Sequence, residues 1–151
     1  MRPNPYHNYL ENEILTADPL KLVVLLYRGA LGSIADARRY LASGEIGARS
    51  QSISIAVEII AELIRTLDYE AGGDLSNSLA RLYDYTLHRL AEGNGRQSDA
   101  PLAEAERIMA SLLEAWQQCT PPEDFARAER ASEKPTAGET AMRDSHLSCA
   151  Y

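Results

Sequence analysis

Apolar and small residues recur every three or four positions in four separate stretches of this chain, with clean breaks between the stretches. That spacing places the apolar side chains along one face of an α-helix. The alternation of apolar and polar residues that is typical of strands is nearly absent. The pattern therefore predicts an all-α fold with four helices.

The first predicted helix begins after Asp18, whose carboxylate can accept a hydrogen bond from an unpaired amide of the first turn. Pro19 suits the first helical position, because the N–H that proline lacks has no acceptor there in any case. Ser43 and Gly44 mark the end of the helix. The positions that the spacing turns inward are Leu20, Val23, Tyr27, Ala30, Ile34, Ala37 and Leu41.

Glycines separate the second and third predicted helices. The second runs from about residue 48 to residue 69 and is expected to stop at Gly72 and Gly73, because glycine readily adopts the left-handed geometry of a helix end. The third runs from residue 74 to about residue 91 and is expected to stop at Gly93-Asn94-Gly95. The inward positions are Ile53, Ala56, Ile60, Leu63 and Leu67 on the second helix, and Leu75, Leu79, Leu82, Thr86 and Leu90 on the third.

The fourth predicted helix opens at Ser98 or Asp99 and stops at Pro121-Pro122. Its inward positions are Leu102, Ala105, Met109, Leu112 and Trp116.

Four helices of similar length joined by short loops favour an antiparallel four-helix bundle, here over residues 18–119. Residues 1–17 would then form an N-terminal arm or a short cap helix. Residues 120–151 contain few large apolar side chains and are interrupted by prolines, so they are expected to be a disordered tail.

The charge balance narrows the possible partners. Fifteen basic and 22 acidic residues give a net charge of −7, which argues against a nucleic-acid binder, because phosphate contacts need a concentrated basic face. The longest apolar run, residues 22–26, is too short to insert across a membrane. No secretory signal is visible in residues 1–9, so the expected location is the cytoplasm.

No catalytic or cofactor-binding constellation stands out. Cys119 and Cys149 lack a metal-binding spacing, and no Glu-x-x-His pair suggests a di-iron site in the bundle. His88 could serve a histidine phosphotransfer domain, but the residues around it lack the lysine and the small residue that such a site needs, so a solvated surface histidine is favoured. The sequence predicts a protein that is not an enzyme and has no cofactor.

The second helix carries more apolar residues than one packed face requires. Ile55 and Ile59 fall outside its main apolar arc, with Thr66 beside them, and Tyr83 and Leu87 lie on one shoulder of the third helix. These side chains either cover broad contacts with two neighbouring helices or line a surface groove that receives an amphipathic helix.

The N-terminal arm belongs to the same question. Its apolar residues include Tyr9 and Ile14, which are spaced so that the arm could lie over an apolar surface. The arm is therefore either a frayed terminus or a cap on the groove that moves when a partner binds.

Two segments resemble the sequence signature of the flagellar export chaperone family, FliS. Residues 14–31 read ILTADPLKLVVLLYRGAL, and the family pattern is roughly I-x-T-A-x-P-x-K-L-x-x-x-L-Y-x-G-A. Residues 67–75 read LDYEAGGDL and are followed by Leu79 and by LYDY at residues 82–85, like the family's second motif. Trp116 fits the family's last helix.

The chain departs from the family pattern at three places. Arg28 stands where an acidic residue is frequent, and Glu92-Gly93 replaces a common Ala-Asn pair. Ser78 stands where asparagine is usual, which could weaken one polar contact with the partner.

The resemblance implies a cytosolic helical bundle that binds the disordered C-terminal segment of flagellin, prevents its premature polymerisation and keeps it competent for type III flagellar secretion. It also implies the flagellar export gate as a candidate partner. On this basis the predicted partner-binding residues are Tyr9, Ile14, Ile55, Ile59, Thr66, Tyr83 and Leu87. The alternatives are a bundle that serves another cytosolic client, a bundle that homodimerises, and a phosphotransfer domain; the expected state is a monomer or weak homodimer.

Overall fold

The computed structural model describes residues 19–119, which form four α-helices. They are α1 (Pro19–Ser43), α2 (Ile46–Arg65), α3 (Tyr69–Arg96) and α4 (Asp99–Cys119). The all-α, four-helix prediction is confirmed within these residues. The N-terminal arm and the C-terminal tail lie outside the described residues.

The helices pack as an antiparallel bundle. Only two or three residues connect each helix to the next, and connections this short make successive helices antiparallel neighbours. α1 packs against α2 and α4, and α3 packs against the same two helices. α1 and α3 therefore lie on one diagonal of the bundle, with α2 and α4 on the other. No helix within residues 19–119 is long and apolar enough to cross a membrane.

The core follows the predicted apolar faces closely. All five inward positions predicted for the second helix are buried, and the other helices bury most of theirs. Leu75 is the clear exception, because 46% of its surface is exposed. The completely buried large side chains come from all four helices: Tyr27, Ile34, Ile60, Leu63, Tyr83, Leu90, Leu102 and Met109.

The glycine pair 72–73 interrupts helical geometry as predicted, but it does not mark the end of the second helix. α2 already ends at Arg65, and Asp68 starts α3 by accepting hydrogen bonds from the amides of Glu70 and Ala71, each at 3.0 Å. Gly73 lies inside α3 with φ 51° and ψ −122°, so it kinks the helix. Glycine supplied the left-handed φ that its presence suggested, but helical hydrogen bonding resumes after it.

Gly93 is likewise inside α3 and does not stop it. A Cβ atom at this position would lie 2.5 Å from Leu102 Cδ2, so the missing side chain allows α3 and α4 to approach closely. The helix ends at Arg96, followed by Gln97 with φ 51°. The amide of Ser98 donates a hydrogen bond to the Gly93 carbonyl oxygen at 3.0 Å. One of the last carbonyl groups of α3 thereby has a partner.

Candidate binding surface

Ile55 and Ile59 face α1 along one side of α2. Ile59 Cδ1 would lie 3.2 Å from a Cβ atom placed on Gly29, so the two residues are in direct contact across the seam. Ile55 precedes Ile59 by one helical turn and Thr66 follows it by two, which puts all three on the same side of α2. Each of the three is half-buried.

The side of α1 that faces Ile59 carries apolar side chains and glycines. Leu22 and Leu25 precede Gly29 by one or two turns and share its face, and both are half-buried. Gly32, one turn after Gly29, is exposed and has no atom within 4 Å of the place where its Cβ would lie. We name the surface formed by these residues the α1–α2 groove; its members are Leu22, Leu25, Gly29, Gly32, Ile55, Ile59 and Thr66.

Polar side chains bridge two of the other seams strongly. Arg38 of α1 donates two hydrogen bonds to Asp99 of α4, at 2.7 and 2.9 Å, and also pairs with Glu106. Arg89 of α3 pairs with Glu104 of α4 at 2.8 Å. The hydrogen bonds and the charge of Arg38 lower the pKa of the Asp99 carboxyl group.

The seam between α2 and α3 is bridged at one end by a buried arginine. Arg49, only 4% exposed, donates from Nε to the Asn94 side-chain oxygen at 2.9 Å. Ser50 donates to the same oxygen at 3.3 Å. The guanidinium lies beside the last turn of α3, where the helix dipole favours positive charge.

The α1–α2 seam differs from the other three. Among residues 19–119, no side-chain hydrogen bond or ion pair joins α1 to α2. Apolar and small side chains hold this seam together, as at Gly29 and Ile59. A helix docking on it would have no interhelical polar bridge to displace.

Tyr83 lies in the core, whereas the sequence placed it on a shoulder of the third helix. It is completely buried, and its hydroxyl hydrogen-bonds with that of Tyr27. The buried face of α3 comprises Ser76, Leu79, Tyr83, Thr86, Leu90 and Gly93, so its centre is rotated away from Leu82, which is half-buried. A tyrosine can occupy this central position because its hydroxyl finds a buried partner.

Leu87 belongs to α3, which packs on the side of α2 opposite to the side that carries Ile59. It precedes Asn94 by two helical turns, so it shares the side of α3 that Arg49 and Ser50 contact. Leu87 is half-buried and packs against the core. The structure thus brings together Ile55, Ile59 and Thr66 and separates them from Leu87 and Tyr83. Tyr9 and Ile14 lie outside the described residues.

The sequence interpretation missed the α1 half of the groove. Gly29 was noted only as part of a motif, and Gly32 was not considered. The available signal was a Gly-x-x-Gly spacing on a helix whose buried face contains neither glycine. Glycine destabilises a helix relative to alanine. Two glycines on one side of a helix therefore indicate a place where a side chain would be unfavourable.

Potential metal-binding side chains are not clustered in the described part of the chain. No cluster of three or more His, Cys, Asp or Glu side chains that could hold a metal ion occurs among residues 19–119. His88 is exposed, and its Nδ1 lies 2.8 Å from the Asp84 carbonyl oxygen one turn away.

Comparison with known proteins identifies the family. The profile of the flagellar protein FliS matches residues 2–123. The flagellar secretion chaperone FliS of Salmonella typhimurium strain LT2 is 32% identical over 117 residues, covering 77% of this chain and 87% of that protein. The FliS of Bacillus subtilis strain 168 is 33% identical over 115 residues, covering 76% and 85%. That of Campylobacter jejuni strain 81116 is 32% identical over 113 residues, covering 75% and 88%. With its bundle fold and both signature segments inside the matched region, the chain belongs to the FliS family.

Proposed function

We propose that this protein is a cytoplasmic flagellar export chaperone. In this proposal it binds the disordered C-terminal segment of flagellin, prevents premature polymerisation and keeps the segment competent for type III flagellar secretion. Membership of a family whose relatives are named flagellar secretion chaperones supports the general role. The α1–α2 groove supports the mode of binding.

The observation that carries the proposal is the apolar, unbridged surface between α1 and α2. An amphipathic helix needs a strip of apolar surface for its own apolar face, and it binds most closely where the receiving backbone is not covered by side chains. Ile55 and Ile59 supply the apolar strip. Gly29 and Gly32 leave the backbone of α1 beside it uncovered by side chains.

The proposed partner-binding residues are therefore weighted differently from the prediction. Ile55, Ile59 and Thr66 are the proposed contacts in the α1–α2 groove. Leu87 would contact only a client that extends past α2, and Tyr83 acts through the core. Tyr9 and Ile14 remain proposed contacts from the N-terminal segment.

Coupled folding explains how such a complex can be stable and still release its client. A disordered segment loses conformational entropy when it folds on the chaperone, and this loss offsets much of the favourable contact energy. The client is then held with moderate affinity until the export gate, the second partner that we propose, receives it. No nucleic acid, membrane insertion or cofactor enters this scheme.

Isothermal titration of the full chain with a peptide covering the C-terminal segment of the host's flagellin tests the proposal. We expect a one-to-one complex with favourable enthalpy, opposing entropy and a negative heat-capacity change, as coupled folding on an apolar surface produces. A peptide of the same composition in scrambled order is the control. If the folded protein gives no binding heat at several temperatures, flagellin is not its client.

A further inference from the structure

The charged residues on the two sides of the α1–α2 groove differ in sign. Arg28 immediately precedes Gly29 on α1, and Glu58 immediately precedes Ile59 on α2. One residue corresponds to a rotation of about 100° around a helix. Both charged side chains are exposed, whereas Gly29 and Ile59 are half-buried. Arg28 and Glu58 therefore lie on the solvent side of the groove, one on each helix, at the level where Gly29 and Ile59 meet.

Each side of the groove continues with charge of the same sign. Lys21 precedes Arg28 by about two helical turns, so it lies on the same side of α1, and residues 19–35 contain no acidic side chain. Glu62 follows Glu58 by about one turn on α2. We name Lys21 and Arg28 the basic edge of the groove, and Glu58 and Glu62 its acidic edge. The basic edge stands out in a chain whose net charge is −7.

Three of these four side chains have no partner within the bundle. Among residues 19–119, no ion pair or side-chain hydrogen bond involves Lys21, Arg28 or Glu58. Glu62 is the exception, because its carboxylate pairs with Arg65 of the same helix. Both edges therefore have charge available for a partner that lies in the groove.

We propose that the helix received by the α1–α2 groove carries acidic side chains along the edge beside α1 and basic side chains along the edge beside α2. This proposal rests on the proposed function and specifies the chemistry of the client segment. Charges at the rim of an interface act mainly on specificity and on the rate of association. If the same helix docked in the opposite direction, each of its edges would meet like charge, so the two edges select one direction of binding.

Isothermal titration of charge-reversal variants with a peptide covering the C-terminal segment of the host's flagellin tests the proposal. At about 0.1 M sodium chloride we expect Arg28→Glu and Glu58→Arg each to weaken binding by about three- to tenfold, because each replaces an attraction by a repulsion. At about 1 M salt, where charges are screened beyond about 3 Å, both variants should bind like the parent protein. That recovery would also show that they are folded.

Arg81→Glu is the control, because it makes the same change of net charge as Arg28→Glu at an exposed position on α3, which does not line the groove. It should bind like the parent protein at both salt concentrations. If Arg81→Glu loses as much affinity as Arg28→Glu, the effect is one of net charge and the proposal is wrong.

The direction of the two reversals provides a second check. They change the net charge in opposite senses, so an effect of net charge would weaken one variant and strengthen the other, which would overturn the proposal. Unchanged affinity in either variant would also overturn it while leaving the proposed function intact. If the parent protein itself gives no binding heat, the proposed function fails and this proposal fails with it.

Discussion

The indole Nε1 of Trp116 donates a hydrogen bond of 2.9 Å to the hydroxyl of Tyr27 in the centre of the bundle. That hydroxyl also hydrogen-bonds with the hydroxyl of Tyr83. One buried oxygen atom on α1 thereby joins the neighbouring helix α4 and the diagonally opposite helix α3. Buried polar groups of this kind favour one arrangement of the helices, because another arrangement would separate the partners.

Replacing Tyr27 by phenylalanine tests the importance of this oxygen. Tyr27→Phe removes two buried hydrogen bonds and should lower the free energy of unfolding by about 1–3 kcal/mol. Urea unfolding followed by the fluorescence of Trp116, the only tryptophan, provides the measurement. Tyr69→Phe, which removes the hydroxyl of a half-exposed ring, is the matched control and should change stability by less than about 0.5 kcal/mol. Equal effects of the two substitutions would contradict the assigned role.

Gly93 and Gly95 should respond in opposite ways to alanine. A Cβ atom on Gly93 would lie 2.5 Å from Leu102 Cδ2 and 3.1 Å from the Ser98 carbonyl oxygen, so Gly93→Ala should cost about 1–3 kcal/mol. Nothing lies within 4 Å of a Cβ on Gly95, and Gly95→Ala should stabilise the helix by up to about 1 kcal/mol. Thermal unfolding of the two variants decides the matter. A stabilised Gly93→Ala would mean that α3 and α4 do not approach closely there.

Gly32 should matter for the client and not for the fold. Gly32→Leu places a large side chain on open surface, so stability should be unchanged or slightly raised by the better helix propensity. The same side chain would raise the wall of the α1–α2 groove and weaken client binding by about tenfold, or 1.4 kcal/mol. Ala35→Leu, on an exposed position one turn later, is the control and should bind normally. Titration calorimetry measures both, and unchanged affinity in Gly32→Leu would place the client elsewhere.

Stability should fall in mild acid because of two carboxylates on α4. Hydrogen bonds from Arg38 lower the pKa of Asp99, and a hydrogen bond from Tyr85, with the charge of Arg89, lowers the pKa of Glu104. Since both values are lower in the folded state than in the unfolded state, the unfolded chain binds more protons as the pH falls. The stabilisation is complete above about pH 5 and is lost as the pH drops through the folded-state values.

Urea unfolding between pH 7 and pH 3 measures this loss. In Arg38→Gln the contribution of Asp99 disappears, so the free energy of unfolding should depend less steeply on pH below about pH 5. Arg28→Gln removes an exposed arginine from α1, the helix that carries Arg38, without contacting either carboxylate, and should leave the steep dependence in place. Parallel curves for the Arg38 variant and the parent protein would show that this pair does not control the acid response.

The helices and the core could be predicted from the sequence because they depend on local periodicity. The residues of α2 that repeat at helical spacing, such as Ile53, Ile60 and Leu63, are buried as expected. The ends of the second and third helices were misplaced because glycine serves three purposes in this chain. Gly73 kinks a helix and Gly93 admits Leu102, and only the neighbouring structure distinguishes these roles from a helix end.

The candidate site was predicted less completely, for a physical reason. Periodicity identified Ile55 and Ile59 as apolar residues beyond the main face of α2, but it cannot say which helix lies beside them. The pairing of Ile59 with Gly29 arises from tertiary packing. Tyr83 was assigned to the surface because its shoulder position gave no hint of the hydroxyl partner on α1.

The affinity of an Ile55→Asp variant for the C-terminal segment of flagellin tests the central claim most directly. Ile55 is the better choice over Ile59, because Ile59 contacts Gly29 and its replacement would also disturb the bundle. Ser54→Asp adds the same charge at the neighbouring exposed position, about 100° around the helix. We expect Ile55→Asp to weaken binding by about 2 kcal/mol or more, while unfolding changes little and Ser54→Asp binds like the parent protein. Full affinity in a folded Ile55→Asp variant would contradict the proposal that the α1–α2 groove receives the client.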